Sequence, residues 1–413
     1  MTEVKYAVIL GDGMADYPLT ELGGLTPLEK AHIPTADMLA KKGILGLVKT
    51  IPENMSAGSD VANLSVLGYD PRLSYNGRSP FEAESMGISL EETDIAFRCN
   101  LVTLTEEEKY QDRTILDHSA GEITSEEGAI LIEHINKELG RENLTFHPGV
   151  SYRHLLIWKG GPDSWELTPP HDILGRKVGE YLPRGVKCQV IQEMMRKSAL
   201  LLAEHPVNKE RRAKGLLPAN SIWIWGEGKK PILESFTGKF GLRGAVISAV
   251  DLVRGLGVCT GLSIVEVPGA TGNFHTNYRG KAEAALRVLG EGKDFVYIHI
   301  EAPDECGHRN ELANKVRAIE LIDENVVKPI ADALEKTWDE YSIMFLPDHA
   351  TPLSLRTHTR DPVPFLIYRN TKEGEHPGRA FSEKAAAETG IFLEEGHHLM
   401  EYFLAIKGVR SKA

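Results

Sequence analysis

Along most of this chain the apolar positions come in short unbroken runs that stop abruptly at polar residues. Tyr6 to Leu10 ends at Gly11-Asp12-Gly13, Phe295 to Ile300 ends at Glu301-Ala-Pro-Asp304, and Ser342 to Leu346 ends at Pro347-Asp348-His349. Runs without polar alternation predict strands buried on both faces, as in a parallel sheet. Between them the apolar residues recur at helical spacing over Thr35–Lys42, Lys281–Gly290 and Ala313–Leu334. Strands alternating with helices predict an α/β, doubly wound, mostly parallel sheet. In such sheets ligands bind beyond the carboxyl ends of the strands, and there fall Asp12, Asp304 and Asp348.

The middle of the chain is choppier. Phe97–Leu104, Arg153–Trp158 and Val186–Ile191 read as strands, Glu126–Leu139 as a helix, with Gly and Pro clusters at Gly160-Gly161-Pro162 and Pro169-Pro170. This pattern predicts a smaller α+β domain, residues 97–190, inserted into a core formed by residues 1–96 and 191–413. The helical stretch Gln192–His205 would return the chain to the main sheet. No internal repeat or low-complexity segment is evident, and the tail beyond Lys407 is expected to fray.

Composition narrows the class. The 413 residues are 42% hydrophobic and 26% charged, ordinary globular values that exclude disordered and fibrous classes. With 47 basic against 59 acidic residues the net charge is −12, and no basic run offers a nucleic-acid surface. No stretch approaches the length of a membrane span, and the opening MTEVKYAVILGDG does not read as a signal peptide. Cys99, Cys188, Cys259 and Cys306 are scattered, which fits reduced thiols and a cytoplasmic protein without a thiolate zinc site. Gly226-Glu-Gly228-Lys lacks P-loop spacing, and no G-x-G-x-x-G follows a strand.

The chemistry sits at the strand ends. Asp304-Glu-Cys-Gly-His308 places a carboxylate and an imidazole at i and i+4, on one helical face. Asp348-His349 offers two adjacent donors, His358 lies in a loop soon after, and Asp12 closes the set. Hard oxygens with imidazoles suit divalent cations. Taken singly, each has an ordinary explanation: a lone Asp after a strand caps a helix, and a loop His is polar surface. Their joint occurrence at three strand ends is what points to metal. Ser59, in Met55-Ser-Ala-Gly58-Ser59-Asp-Val-Ala-Asn63, opens an apolar helical pattern. A Ser there is ordinarily a cap, but the helix N-terminus also stabilises a phosphoserine, and a metal-bound hydroxyl is a competent nucleophile. Ser56 is the rival hydroxyl. His118, Arg153, Arg211, Arg212 and Lys281 are candidates to hold an anionic substrate.

Together these motifs, with Leu67-Gly-Tyr-Asp-Pro71, Ser-Tyr-Arg153-His, Pro-Pro-His171-Asp, His205-Pro-Val-Asn208, Gly269-Ala-Thr-Gly272 and His358-Thr-x-Asp-Pro-Val-Pro364, resemble the alkaline phosphatase superfamily. More narrowly, they resemble the archaeal-type 2,3-bisphosphoglycerate-independent phosphoglycerate mutases, over nearly the whole chain. The resemblance implies an alkaline-phosphatase-like core with an inserted cap domain. It implies two divalent ions, commonly manganese, with zinc, magnesium or cobalt as alternatives, and no 2,3-bisphosphoglycerate. One ion would take Asp304, His308 and His358; the other would take Asp12, Ser59, Asp348 and His349. The implied activity is interconversion of 3-phosphoglycerate and 2-phosphoglycerate through a phosphoserine at Ser59, a step of glycolysis and gluconeogenesis, on a small phosphorylated metabolite. Gly11 to Asp16 also resemble a bacterial branch proposed to be homoserine kinases. Glu122 stands where a basic residue is expected in archaeal mutases. A homoserine-kinase-like phosphotransferase and a metal-dependent phosphatase or sulfatase are therefore the rival activities, and a metal-stabilised scaffold is the rival of another class. The sequence does not fix monomer or homo-oligomer.

Overall fold

The strand Lys5–Gly11 is buried on both faces and runs parallel to Phe295–Ile300 on one side and Tyr341–Leu346 on the other. Across the eight-stranded sheet the order is Ser263–Ile264, Gly244–Ile247, Phe295–Ile300, Lys5–Gly11, Tyr341–Leu346, Val363–Arg369, Ile44–Val48 and Phe392–Leu393. Only Val363–Arg369 runs against its neighbours. Helices including Pro34–Lys42 and Tyr278–Gly290 pack their apolar faces on this sheet, in one core with Ala7, Ile9, Val296, Ile298, Ile343 and Phe345. This is the mostly parallel, doubly wound architecture that the apolar runs predict. Leu10 pairs with His299 and with Leu346, and Gly11 with Ile300. That register brings Asp12, the segment from Glu301 and the Pro347-Asp348 turn to one edge. The computed structural model describes residues 4–162, 164–371 and 378–404. The segment beyond Lys407 lies outside them.

The chain divides into two compact units. One contains residues up to Tyr75 and from Ile232 onward; the other spans Asn76–Pro231. These bounds are wider than the expected insertion at 97–190. The reason is the strand Ser221–Lys229, which pairs antiparallel with Ile95–Leu104 and belongs to the second unit's sheet. On its other side Ile95–Leu104 pairs with Arg153–Trp158, which pairs in turn with Leu144–His147. Val186–Ile191 is not a strand. A helix runs over Cys188–Ala203 instead, burying Ile191, Met194, Met195, Ala199 and Leu202 at helical spacing against this antiparallel sheet. It therefore does not return the chain to the parallel sheet. The second unit has its own core, with Phe97, Leu101, Leu131, Ile135, Leu156, Met195 and Trp223. No described helix is long and apolar enough to cross a membrane.

The expected long helix from Ala313 to Leu334 is broken by one π-helical stretch, Asp323–Val327, between Leu312–Ile322 and Lys328–Thr337. Asp323 accepts the backbone N–H groups of Thr35 and Ala36, at the start of the Pro34–Lys42 helix. Its side chain thus satisfies donors that a helix start leaves without partners.

A second buried polar network braces the segment after His349. Lys315 Nζ donates to Asp16 Oδ2 at 2.8 Å and to the Thr351 carbonyl at 2.8 Å, and the pair is fully buried. Glu383 accepts the Asp16 N–H at 3.2 Å and the Thr26 hydroxyl at 2.8 Å. Burial pushes the Glu383 carboxyl up from 4.5 to about 7. A raised folded-state value makes its contribution fully favourable below pH 4.5 and removes it as pH rises through about 7. Glu383→Gln keeps the neutral form's contacts at every pH. The variant should match the wild type in denaturant stability near pH 5 and exceed it by on the order of 2–3 kcal/mol at pH 8. Urea unfolding of both proteins at the two pH values checks this; an equal difference at both would contradict it.

Candidate active site

Seven expected donors meet at the edge of the parallel sheet. Asp304 and His308 lie one turn apart on the helix Ala302–Arg309, which starts directly after a strand. His308 Nε2 is 3.2 Å from Asp304 Oδ2, His358 Nε2 is 3.3 Å from Asp304 Oδ1, and the two Nε2 atoms are 2.9 Å apart. The Nδ1 of His308 faces the Arg356 carbonyl at 3.0 Å, so the neutral ring keeps its proton on Nδ1 and leaves Nε2 as the nitrogen for a cation. Asp12, Ser59 and Asp348 gather around the His349 ring. Its Nε2 is 3.4 Å from Asp12 Oδ1, 3.4 Å from Asp348 Oδ2 and 3.0 Å from Ser59 Oγ. The two sets adjoin, since the rings of His349 and His358 stack with centroids 4.0 Å apart.

Ser59 is the first residue of the helix Ser59–Val66, and Gly58 takes the cap position without a side-chain bond. The Ser59 hydroxyl is therefore not used as a cap. Asp12 is likewise no helix cap: its Oδ2 meets His299 and its Oδ1 is buried without a hydrogen-bond partner. Ser56 is exposed.

Several supporting residues escaped the sequence reading. Asn63 Nδ2 donates to Asp348 Oδ2 at 2.8 Å and to the Ser59 carbonyl at 2.8 Å, while its Oδ1 accepts the Tyr297 hydroxyl at 2.6 Å. Thr351 donates to Asp304 Oδ1 at 2.5 Å, and Gly13 N–H to Asp348 Oδ1 at 3.1 Å. His299 and Tyr297 were hidden inside an apolar strand. The only available signal was two polar-tipped residues two apart, on one strand face that is otherwise apolar.

Electrostatics bear on whether these residues fit divalent cations. Burial, then the nearby Asp348, Asp304 and Glu301 charges, push the Asp12 carboxyl well above the usual range. Burial also raises Asp348, with Asp304 adding to it. Burial alone would raise Asp304 as well, yet the His308 and His358 imidazoles hold it well below. The Asp304 hydrogen bond lifts His308 to about 9, whereas burial lowers His349 to about 3. A buried carboxylate cluster of this kind is costly without positive charge, and bound cations invert the balance. The triads Asp304–His308–His358 and Asp12–Asp304–His349 each offer ligand atoms within 4.8 Å of one another. With the partnerless Asp12 oxygen and the oriented His308 tautomer, the donor set fits two divalent cations.

The expected substrate residues divide. In the second unit, His118 and Arg153 both pack on Tyr152, at 5.6 Å between ring centroids and 5.5 Å from guanidinium to ring. His171 joins His118 at 6.1 Å and Trp225 at 5.4 Å, and Arg98 lies over Trp225 at 4.8 Å. Arg211 does not join this face. It is buried, and its guanidinium is committed to Glu127 at 2.5 Å, the Ala120 carbonyl at 2.7 Å and the Leu217 carbonyl at 2.9 Å. Its role is to hold the turn after His118, where Ala120, Gly121 and Glu122 all adopt positive φ (51°, 65° and 51°). Arg212 donates to the Ala203 carbonyl and pairs with Glu106. Lys281, in the first unit, is buried with Nζ on the His299 carbonyl at 2.9 Å, and burial lowers it to about 8.

An open α/β sheet with carboxylates and imidazoles at its strand ends, and one serine at a helix start beside them, defines the class of site that suits divalent cations. Comparison with known proteins narrows this. A model of the 2,3-bisphosphoglycerate-independent phosphoglycerate mutase family matches residues 40–208. The chain is 48% identical to the enzyme of that name from Methanosarcina barkeri, covering 98% of this chain and 100% of that one. It is 50% identical to a probable one from Geobacter sulfurreducens, covering 97% and 100%. The solved cofactor-independent phosphoglycerate mutase of Thermoplasma acidophilum superposes with a TM-score of 0.67 at 26% identity, covering 99% and 100%. The chain belongs to the family of 2,3-bisphosphoglycerate-independent phosphoglycerate mutases.

Proposed function

We propose that this protein interconverts 3-phosphoglycerate and 2-phosphoglycerate, without 2,3-bisphosphoglycerate, through a phosphoserine at Ser59. The observation that carries this is the Ser59 hydroxyl, free of any capping bond and 3.0 Å from His349 Nε2 within the seven-donor set. Family membership supplies the substrate. Asp304, His308 and His358 would hold one divalent cation, and Asp12, Ser59, Asp348 and His349 the other, with manganese favoured and zinc, magnesium or cobalt as alternatives. When bound, such a pair supplies Lewis-acid charge for the phosphoryl oxygens and for the ionised serine.

Ser59 Oγ forms its bond to phosphorus as the bond from phosphorus to the glycerate oxygen breaks. The backbone N–H groups that follow Ser59 in its helix stabilise the phosphoserine dianion. Asn63 ties the Ser59 backbone to Asp348, so nucleophile and ligand keep a fixed spacing. In the second half the neighbouring glycerate hydroxyl attacks the phosphoserine and Ser59 leaves. On the second unit, His118 and Arg153 are the proposed donors for the substrate's anionic groups, with Arg98 and His171 beside them. Arg211, Arg212 and Lys281 move from that role to support. The reaction belongs to glycolysis and gluconeogenesis, and Cys99, Cys188, Cys259 and Cys306, none of them in a disulfide, suit a reducing cytoplasm.

Phosphorus NMR of the manganese-loaded protein with 3-phosphoglycerate alone tests the reading. Growth of the 2-phosphoglycerate signal, without nucleotide or bisphosphoglycerate, is expected. Release of free phosphate alone would mark a phosphatase. No isomerisation, together with phosphohomoserine formed from ATP and homoserine, would replace the proposal with a kinase.

A further inference from the structure

His299 takes no part in the steps above, yet it is fully buried beside the centre. Its Nε2 lies 2.9 Å from Asp12 Oδ2 and its Nδ1 3.3 Å from Ser248 Oγ. Ser248 Oγ already accepts the Val250 N–H at 3.0 Å, so its proton is free to go to Nδ1. With the Ser248 hydroxyl donating to Nδ1, Nε2 carries the hydrogen that Asp12 Oδ2 receives. The other oxygen, Asp12 Oδ1, is the one left without a partner, and it faces His349 Nε2 at 3.4 Å. From below, Lys281 Nζ holds the His299 carbonyl at 2.9 Å and so anchors the strand end.

We propose that His299 is a positioning residue: a relay from Ser248 through His299 holds one Asp12 oxygen and turns the other toward the cation shared with Ser59, Asp348 and His349. The inference rests on the two-cation reading of the site. His299, Asp12 and Asp348 also offer ligand atoms within 4.8 Å of one another, so direct ligation by His299 is the competing arrangement. The 2.9 Å contact favours positioning, because a nitrogen bonded to Oδ2 through hydrogen has no lone pair for a metal. Partners of this kind tune metal affinity about 10–100-fold.

The test is titration of the metal-free full chain with Co²⁺ alone, by calorimetry and visible absorbance, without substrate. Two equivalents should bind to the wild type. His299→Leu should weaken one equivalent about 10–100-fold and leave the other unchanged. His299→Gln, whose amide offers a donor near the same place, should restore most of that affinity. Ser248→Ala, which touches no proposed ligand, should weaken the same equivalent several-fold, and it serves if the leucine variant does not fold. Wild-type affinity in His299→Leu, equal losses in the Leu and Gln variants, or an unchanged Ser248→Ala would each overturn the proposal. Because only metal binding is read, the titration still shows whether His299 positions Asp12 in a protein that fails to isomerise phosphoglycerate.

Discussion

Ser59→Ala should abolish phosphoryl transfer while the protein stays folded. The substitution removes one oxygen that caps nothing and is bonded only around the donor set, so the helix Ser59–Val66 keeps its Gly58 cap position and its buried face of Val61, Ala62 and Leu64. Losing a nucleophile that forms the covalent intermediate removes the whole route rather than one stabilising contact. A fall of about 10⁴-fold or more in kcat is expected, with the circular dichroism spectrum unchanged. Radiolabelled phosphoglycerate should label the wild-type chain at Ser59 and leave the variant unlabelled. Turnover near the wild-type rate would remove Ser59 from the mechanism, and labelling at another residue would name its replacement.

Gly13→Ala should be nearly as damaging, although Gly13 offers no side chain to the chemistry. Its φ is +60°, where an L residue is strained by about 1–2 kcal/mol. An added Cβ would sit 2.5 Å from Asp304 Oδ1, 2.5 Å from Thr351 Oγ1 and 2.7 Å from Asp304 Cβ. Asp304 is the carboxylate that both His308 and His358 face, so relief of the clash displaces the centre of one triad. A displacement near 1 Å costs about 10²-fold in rate, and weaker Co²⁺ or Mn²⁺ binding should accompany it. Gly23 is the control. It too has positive φ, at 69°, but a Cβ there meets nothing within 4 Å. Gly23→Ala should carry only the backbone strain and keep wild-type kcat. Equal activity losses in the two variants would mean that strain, not the clash with Asp304, is responsible.

The donors were legible because each sits where a local pattern ends. An apolar run buried on both faces must stop at the sheet edge, and Asp12, Asp304 and Asp348 each follow such a stop. The i and i+4 spacing of Asp304 and His308 is equally local, being set by the helical turn. The inserted unit was harder to bound, because a strand's sheet membership depends on its partner. Ser221–Lys229 pairs with Ile95–Leu104 across more than a hundred residues, and nothing in either run announces the other. Val186–Ile191 misled because a short β-branched stretch at a helix start has the composition of a strand.

Residue type and periodicity, by themselves, determined the parallel sheet, the strand-end placement of the carboxylates and the nomination of Ser59, since all of these follow from short-range burial and backbone geometry. Tertiary structure alone decided which atoms face one another. Asp12 gains His299 from 287 positions away, Asp348 gains Asn63 from 285, and Arg211 turns from a substrate clamp into the brace of the His118 turn. A hydrogen bond depends on where two atoms lie within a few tenths of an ångström, and for partners so distant along the chain only the packed core sets that position.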